Sequence, residues 1–494
     1  MVVHSAYDIV IGLEVHVQLL TQSKLFCRCS TRFGAEPNTQ TCPVCIGMPG
    51  SLPVMNAEAY ELSLQTALAL NCEIPEFTKW DRKQYYYPDL PKGYQISQYD
   101  LPMSEHGWLE ISDSKERFQT KRVGITRAHL EEDAGKSMHD EAAGKADSLV
   151  DLNRTGTPLL EIVSEPDMRS ALEARAYLTE LKLLLTYLGV SDCNMEQGSL
   201  RVDANINLHV HDGDEKIPTP IVEIKNMNSF RAVERALDYE AERQWRLWQK
   251  EKKRLGDVPK QTRGWLDKQQ KTKGQRSKEE SSDYRYFPDP DLVPVITSRE
   301  RVEQVRADLG VLPAALRSQL VEKYDIPSYD ADVIVSGGRE IADYYVAVAE
   351  GCGDGKQAAN WVTQSVFSAL KDHELSIAEF PLSAEQLTDL LSTIQSGDLD
   401  NSRAREVFDH MLTSGQSVQS TMQELGIEKV DESELENLCR ELLQANPRVV
   451  ADIQAGKSKA VGALIGQARQ RNPNADPAKV RELCLKLAEG MSAE

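Results

Sequence analysis

Residues 11–19 read Ile-Gly-Leu-Glu-Val-His-Val-Gln-Leu, and their alternation decides how the first half of the chain folds. Ile11, Leu13, Val15 and Val17 recur at every second position, the period of a half-buried β-strand running over residues 8–18. The opposite face then carries Glu14, His16 and Gln18, spaced about 7 Å apart. A carboxylate and an imidazole held side by side on a rigid strand form half of a metal or acid/base site. Just downstream come Cys27-x-Cys29 and Cys42-Pro-Val-Cys45, separated by turn-forming residues that include Gly34, Pro37 and Asn38. Four thiols so spaced suit a tetrahedral thiolate cage, and structural zinc is the expected occupant. Four protein ligands leave no open position, so the 27–45 loop is expected to be held in shape by metal and to perform no chemistry.

Shorter period-two runs recur at residues 122–129, 159–163, 200–210 and 221–225. Each has a polar face or a lone acid. Arg127-Ala-His-Leu-Glu-Glu-Asp133 stacks three acids after a strand, and Glu161 sits alone among apolar neighbours. Arg201, Asp203, Asn205 and Asn207 alternate with Leu200, Val202, Ala204 and Ile206, and Glu223 with Lys225 repeats the pattern. A buried carboxylate is costly unless it is paired or bound to a cation. Any one of these strands reads most simply as a solvent-facing sheet surface. Five in one sheet would gather Glu14, His16, Glu132, Glu161, Asp203 and Glu223 on a concave side. Such an oxygen-rich surface suits Mg²⁺, while the imidazole leaves Mn²⁺ or Zn²⁺ open.

Two helices stand out among the strands. Ser170 and Glu173 spell a capping box ahead of Leu172, Tyr177, Leu178, Leu181, Leu184 and Leu185, with Gly189 as the stop. A second runs from about Ser229 past Trp248, with Ala232, Val233, Ala236, Leu237 and Ala241 on one face. Beyond the turn-rich segment 286–294 strand signals vanish, and Pro313, Pro327, Pro381 and Pro447 punctuate helical patterns. The expected class is α+β: a cradle domain over 1–296 with a large antiparallel-type sheet, an all-α helical domain over 297–412 and an all-α tail over 413–494. Thr413-Ser-Gly415 marks the last join.

A net charge of −20 argues against a polyanion partner, but it conceals two basic islands. Residues 243–278 hold 13 Lys and Arg against 3 acids, and residues 448–486 hold 8 against 3. Segregation of this kind suggests localised contacts with nucleic acid, against the simpler reading of a solvated basic helix. Nine scattered cysteines and an N-terminus without an export signal point to a reducing, cytoplasmic setting. No run approaches eighteen apolar residues.

Residues 81–100 contain five tyrosines, three basic side chains and two prolines. That mixture suits a nucleotide end, with tyrosines stacking on bases and Lys or Arg meeting phosphate. A tyrosine-rich packing loop is the competing reading. Two phosphate-loop lookalikes fail: Ala455-Gly-Lys-Ser458 has Ala451 where a glycine is needed, and Gly353-Asp-Gly-Lys-Gln357 lacks the hydroxyl residue. ATP, if used, binds without a P-loop.

The segments IGLEVHVQL, FGAEPNTQTCPVC, YYYPDLPKGYQISQYD, GITRAHLEEDAGKS, VDLNRTGTPLLEIVSEPD, GSLRVDANIN, SDYRYFPDPDLVP and GKSKAVGALIGQ resemble the B subunits of the bacterial-type aspartyl/glutamyl-tRNA amidotransferases over essentially the whole chain. The resemblance implies an ATP-consuming ligase subunit acting on misacylated Glu-tRNA(Gln) and Asp-tRNA(Asn). It would phosphorylate the side-chain carboxylate of the esterified amino acid, and ammonia from a partner amidase (A) subunit would displace the phosphate. A small C subunit completes such heterotrimers. Matched onto this chain, the resemblance implies Mg²⁺ ligation by His16, Glu132 and Glu161, with Glu14 binding metal or orienting substrate and Asp203 and Glu223 on the same surface. It implies zinc on Cys27, Cys29, Cys42 and Cys45. Lys83 and Lys92 become candidates for phosphate or the acceptor end, and Tyr86 and Tyr87 for stacking. Arg448, Lys457, Lys459, Arg469 and Arg471 of the tail would meet tRNA phosphates. Two rivals remain: a catalytically inert tRNA scaffold, and a hydrolase that activates water at the His16 cluster.

Overall fold

A computed structural model describes residues 6–113, 115–139, 148–275, 283–428, 431–455 and 457–490. The chain divides into two compact units, Met1–Arg317 and Ser318–Glu494.

The first unit is built on a nine-stranded sheet: β1 (Tyr7–Gln18), β2 (Glu105–Ile111), β3 (Lys121–Glu132), β4 (Pro158–Ser164), β5 (Leu200–Asp212), β6 (Glu215–Pro218), β7 (Val222–Lys225), β8 (Gln261–Leu266) and β9 (Lys271–Gly274). Their order is β9-β8-β7-β5-β1-β4-β3-β2, with β6 paired to β5. β1 is central, antiparallel to both β5 and β4. Every pair is antiparallel except β7 with β8. The antiparallel expectation is corrected at that one place, because a long helix, α3 (Phe230–Glu251), is the crossover between β7 and β8. A parallel pair needs such a connection.

The alternation of β1 is realised: Ile11, Leu13, Val15 and Val17 are buried in one core with Val202, Ala204 and Ile206 of β5 and Leu160 and Ile162 of β4. α1 (Ala57–Ala69) supplies Leu64 and Leu68 to that core, and α3 and α2 (Ala171–Tyr187) supply Val233, Ala236, Leu237, Tyr177, Leu178 and Leu181. Fully burying each Val, Leu or Ile among these stabilises the unit by roughly 1.5–3 kcal/mol. Ser170 caps α2 by accepting from the Glu173 N–H. The capping box is modified, since the Glu173 carboxylate accepts from the Arg169 N–H at 2.8 Å and from Lys121. Ser229 caps α3 in the same manner. α3 carries the start of the first basic island, with Arg243, Arg246 and Lys250, and ends at Glu251; the island continues through β8 and β9. Its residues 276–278 lie outside the described residues.

A small sheet of Asp81–Gln84, Tyr94–Ser97 and Phe287–Pro288 lies beside β3. The helix Arg299–Asp308 also belongs to this unit, with Val305 in the same core and Arg301 paired to Glu61 at 2.6 Å. The division of the chain into compact units falls after Arg317.

The second unit is helical, as expected. Ile334, Tyr345, Val348, Val362, Leu387, Leu390 and Met411 are buried in its earlier part. Leu435, Cys439, Leu442, Leu464, Val480 and Cys484 form a separate core in its later part. The join expected at 412/413 lies in the last turn of the helix Asn401–Ser414. Among the described residues, no helix is long and apolar enough to cross a membrane.

Candidate metal centres and the polar face of the sheet

Sheet register brings the first centre together. Glu161 of β4 is the cross-strand partner of His16 on β1 and of His129 on β3. One carboxylate thus stands between two imidazoles, with the His16 Nε2 at 3.6 Å and the His129 Nε2 at 3.3 Å. Glu131, two positions beyond His129, places its carboxylate 3.7 Å from His16 and 3.9 Å from His129. Ligand atoms of His16, Glu131 and Glu161 lie within 4.8 Å of one another.

The two carboxylates need a counter-charge, which a proton on imidazole or a cation can supply. Burial opposes a charged His16, but the hydrogen-bonded Glu161 and then Glu131 outweigh it and raise its pKa. Burial also opposes a charged Glu161, yet the facing His129 and His16 hold its carboxyl well below the usual range. The buried Nδ1 of His129 has no hydrogen-bond partner. This donor set of two carboxylates and an imidazole, converging on one point, fits a divalent cation.

Glu132, the ligand expected from the sequence, is not in this group. Adjacent residues of a strand point to opposite faces, so Glu132 shares the side of the buried Ala128 and Leu130. There it pairs with the Lys92 ammonium and accepts from the Ile96 N–H at 3.1 Å, tying the small sheet to β3. Lys92 is correspondingly enclosed, with 5% of its side chain exposed, and its ammonium is taken up by Glu132. Glu131 and His129 were the residues missed. Ala128 and Leu130 already marked the core face, leaving 129 and 131 on the other.

Lys83 does face the centre. Burial disfavours its charge, but Glu131, Tyr286 and Glu161 raise its pKa overall, and the ammonium lies 5.0 Å from the Tyr284 ring centroid. Tyr86 is 83% exposed and Tyr87 41%, the latter edge-on to Tyr85 with ring centroids 5.9 Å apart.

Glu14, Asp203 and Glu223 lie on the same sheet face as His16: Glu14 two residues away on β1, Asp203 on the neighbouring β5 and Glu223 on β7 beyond it. Glu14 and Asp203 are direct partners. Glu14 accepts from Asn205 at 2.8 Å. Lys225 stands 2.5 Å from Asp203 and 3.6 Å from Glu223, and Lys260 lies 3.2 Å from Glu223. This is a strip of alternating charge, separate from the metal-sized cluster. On the other flank Asp133 is held by Arg201 at 2.7 Å and Gln18 at 2.7 Å.

The second centre is the cysteine loop. The sulfurs of Cys27, Cys29, Cys42 and Cys45 all lie within 4.8 Å of one another, as tetrahedral thiolate ligation requires. A hydrogen bond from the Cys27 thiol, aided by the Cys42 N–H and the Lys24 ammonium, holds Cys45 down at about 4 against the effect of burial. Burial pushes Cys29 up to about 11. The cluster can hold a metal ion.

In the second unit Arg448, Lys457, Lys459, Arg469 and Arg471 are all exposed. Lys457 pairs with Asp452 and Arg471 with Glu441, each at 3.0 Å.

Residues 9–303 match the family model described as the GatB/GatE catalytic domain, and residues 343–487 that of the GatB domain. The chain belongs to the GatB family. A relative from Rhodopirellula baltica, named as the B subunit of an aspartyl/glutamyl-tRNA(Asn/Gln) amidotransferase, is 59% identical over 482 residues, 98% of this chain and 97% of that protein. Its namesakes from Carboxydothermus hydrogenoformans and Acaryochloris marina are 47% and 44% identical, each covering at least 97% of both chains. Both centres of this GatB-family chain, and the polar strip between β1 and β7, fall within the segment that matches the catalytic domain.

Proposed function

We propose that this chain is the B subunit of a heterotrimeric, tRNA-dependent amidotransferase, an ATP-consuming ligase of translation. It activates the side-chain carboxylate of Glu or Asp esterified to tRNA(Gln) or tRNA(Asn). A carboxylate oxygen attacks the γ-phosphorus of ATP, the bond to ADP breaks, and an acyl phosphate forms. Ammonia from the amidase (A) partner then attacks the acyl carbon, and phosphate leaves with the electron pair, giving Gln-tRNA or Asn-tRNA. Without the first step the carboxylate oxygen is too poor a leaving group. A small C subunit completes the assembly, which works in the cytoplasm.

The observation that carries this reading is the convergence of His16, Glu131 and Glu161 in one pocket of charge beside Lys83. These three residues would hold Mg²⁺, which when bound offsets phosphate charge during phosphoryl transfer. Lys83 adds a fixed positive charge where negative charge accumulates on the transferring group. Glu14 and Asp203 offer an anionic step for the α-ammonium of the esterified amino acid, and Glu223 with Lys225 keeps that strip ordered. Tyr86 and Tyr87 stack on the terminal nucleotides. Cys27, Cys29, Cys42 and Cys45 hold zinc as a structural ion. We read the second unit as a helical domain followed by a tail, whose Arg448, Lys457, Lys459, Arg469 and Arg471 meet tRNA phosphates.

The test supplies the trimer with ATP and Glu-tRNA, with ammonia in place of glutamine and the glutaminase of the amidase partner inactivated. Product should form with the native chain and vanish with Glu161→Gln. Full activity of Glu161→Gln would favour an inert scaffold, and turnover by the chain alone without ATP would favour a hydrolase.

A further inference from the structure

Lys24 is a lysine with no exposed surface at the base of the cysteine loop. Its ammonium donates to the carbonyl oxygens of Gln40 at 2.8 Å and Leu152 at 3.4 Å, and lies 3.7 Å from the Cys45 Sγ. Among the described residues no carboxylate pairs with it. A buried ammonium without an anionic partner is costly, so its location demands a compensating negative charge. Four thiolates around a dication carry a net charge of −2, and Cys45 is the sulfur beside Lys24. Cys45 also receives the Cys42 N–H at 3.1 Å, so two donors converge on one ligand.

The same ammonium connects the loop to the strand bearing Glu161. Leu152 precedes β4, and its segment is tied to the loop again and again. Gln40 N–H donates to the Asn153 side chain at 2.8 Å, Asn153 Nδ2 to the Glu36 carbonyl at 2.7 Å, and Leu25 N–H to the Gly156 carbonyl at 2.9 Å.

We propose that Lys24 is the charge-compensating partner of the thiolate-bound metal. Its ammonium stabilises Cys45 as a thiolate ligand and joins the metal loop to the 152–156 turn that leads into β4. Lys24 is thus a positioning residue that acts through Cys45 and touches no substrate. The inference rests on reading the four thiols as a metal cage.

The test measures zinc affinity of the full-length chain, copurified with its partner subunits, by competition with a chromophoric chelator. Native chain, Lys24→Arg, Lys24→Gln and Lys24→Met are compared, and each is also loaded with Co²⁺ for absorption spectroscopy. Removing an outer partner of a metal ligand typically weakens affinity about 10- to 100-fold. Lys24→Met and Lys24→Gln should fall in that range and shift the sulfur-to-cobalt charge-transfer band, while Lys24→Arg keeps affinity within about threefold. Lys24→Gln retains a donor for the Gln40 carbonyl, so it separates charge from tethering and guards against a Met variant that fails to fold. Native affinity and an unshifted band in Lys24→Gln would overturn the proposal. A native chain that binds neither zinc nor cobalt would instead remove the cage reading on which it rests.

Discussion

Glu131 and Glu132 are neighbours in sequence with opposite surroundings, and replacing each by glutamine separates chemistry from support. Glu131 faces His16 and His129, and its side chain has one hydrogen bond, from the Ser97 hydroxyl at 3.4 Å, which a glutamine can keep. Glu131→Gln should leave stability within about 1 kcal/mol, the scale of one ordinary hydrogen bond. Removing a charged group that offsets phosphoryl charge should cost ammonia-supported amidation on the order of 100-fold or more, the scale seen when one preorganised electrostatic group is lost. Glu132 is paired with Lys92, and the two side chains are 3% and 5% exposed, so solvent screens the pair little. Breaking such a pair from one side costs roughly 3–5 kcal/mol. Glutamine still accepts from the Ile96 N–H, which places Glu132→Gln near ~3 kcal/mol. For a unit of this size that corresponds to a fall of roughly 4–5 °C in Tm, at about 1.5 °C per kcal/mol. Differential scanning calorimetry and the ammonia-supported assay, run on both variants, give the two readouts. A native Tm with abolished activity in Glu132→Gln, beside an active Glu131→Gln, would refute the argument and restore Glu132 as the ligand.

Three further outcomes are expected. Stripping metal from the cysteine loop with a chelator under reducing conditions should lower the Tm of the first unit and raise thiol reactivity of Cys27, Cys29, Cys42 and Cys45, which alkylation and mass spectrometry would register. Gly156 sits at φ +82° with Cys45 Cβ and Glu132 Oε1 each 3.5 Å from where a Cβ would lie. Gly156→Ala therefore meets no clash but should cost ~1–2 kcal/mol of left-handed strain, read from chemical denaturation. Replacing exposed Lys459 or Arg448 by alanine should weaken tRNA binding by the complex and reduce the slope of log K against log salt by about one for each phosphate no longer neutralised.

Much of the frame was legible because it depends on local periodicity. The β1 pattern fixed which face of the sheet enters the core, and the faces of α2 and α3 followed from their apolar stripes. The site was legible in residue type and only partly in membership. His16 and Glu161 were found from alternation, whereas choosing Glu132 over Glu131 ignored Ala128 and Leu130, which shared its face. His129 joins the site because β4 lies between β1 and β3, a neighbour relation set by tertiary pairing and not written in any one segment. β8 and β9 escaped notice because they are short and lie in a basic stretch that resembles a solvated helix; β9, the edge strand, is Lys-rich, and charge at a sheet edge discourages pairing with other chains. The helix Arg299–Asp308 packs Val305 and Val302, with Leu309 just after it, against the first unit's core and pairs Arg301 with Glu61, contacts too dispersed along the sequence to be read from where strand patterns stop.

The most direct measurement of the central claim is pulsed electron paramagnetic resonance of Mn²⁺ bound to the complex in the presence of ATP. The account predicts ¹⁴N coupling from a directly bound imidazole, lost in His16→Gln, and weakened Mn²⁺ binding in both Glu131→Gln and Glu161→Gln. Unchanged nitrogen coupling in His16→Gln, with native Mn²⁺ affinity in the two glutamate variants, would place the cation elsewhere and contradict it.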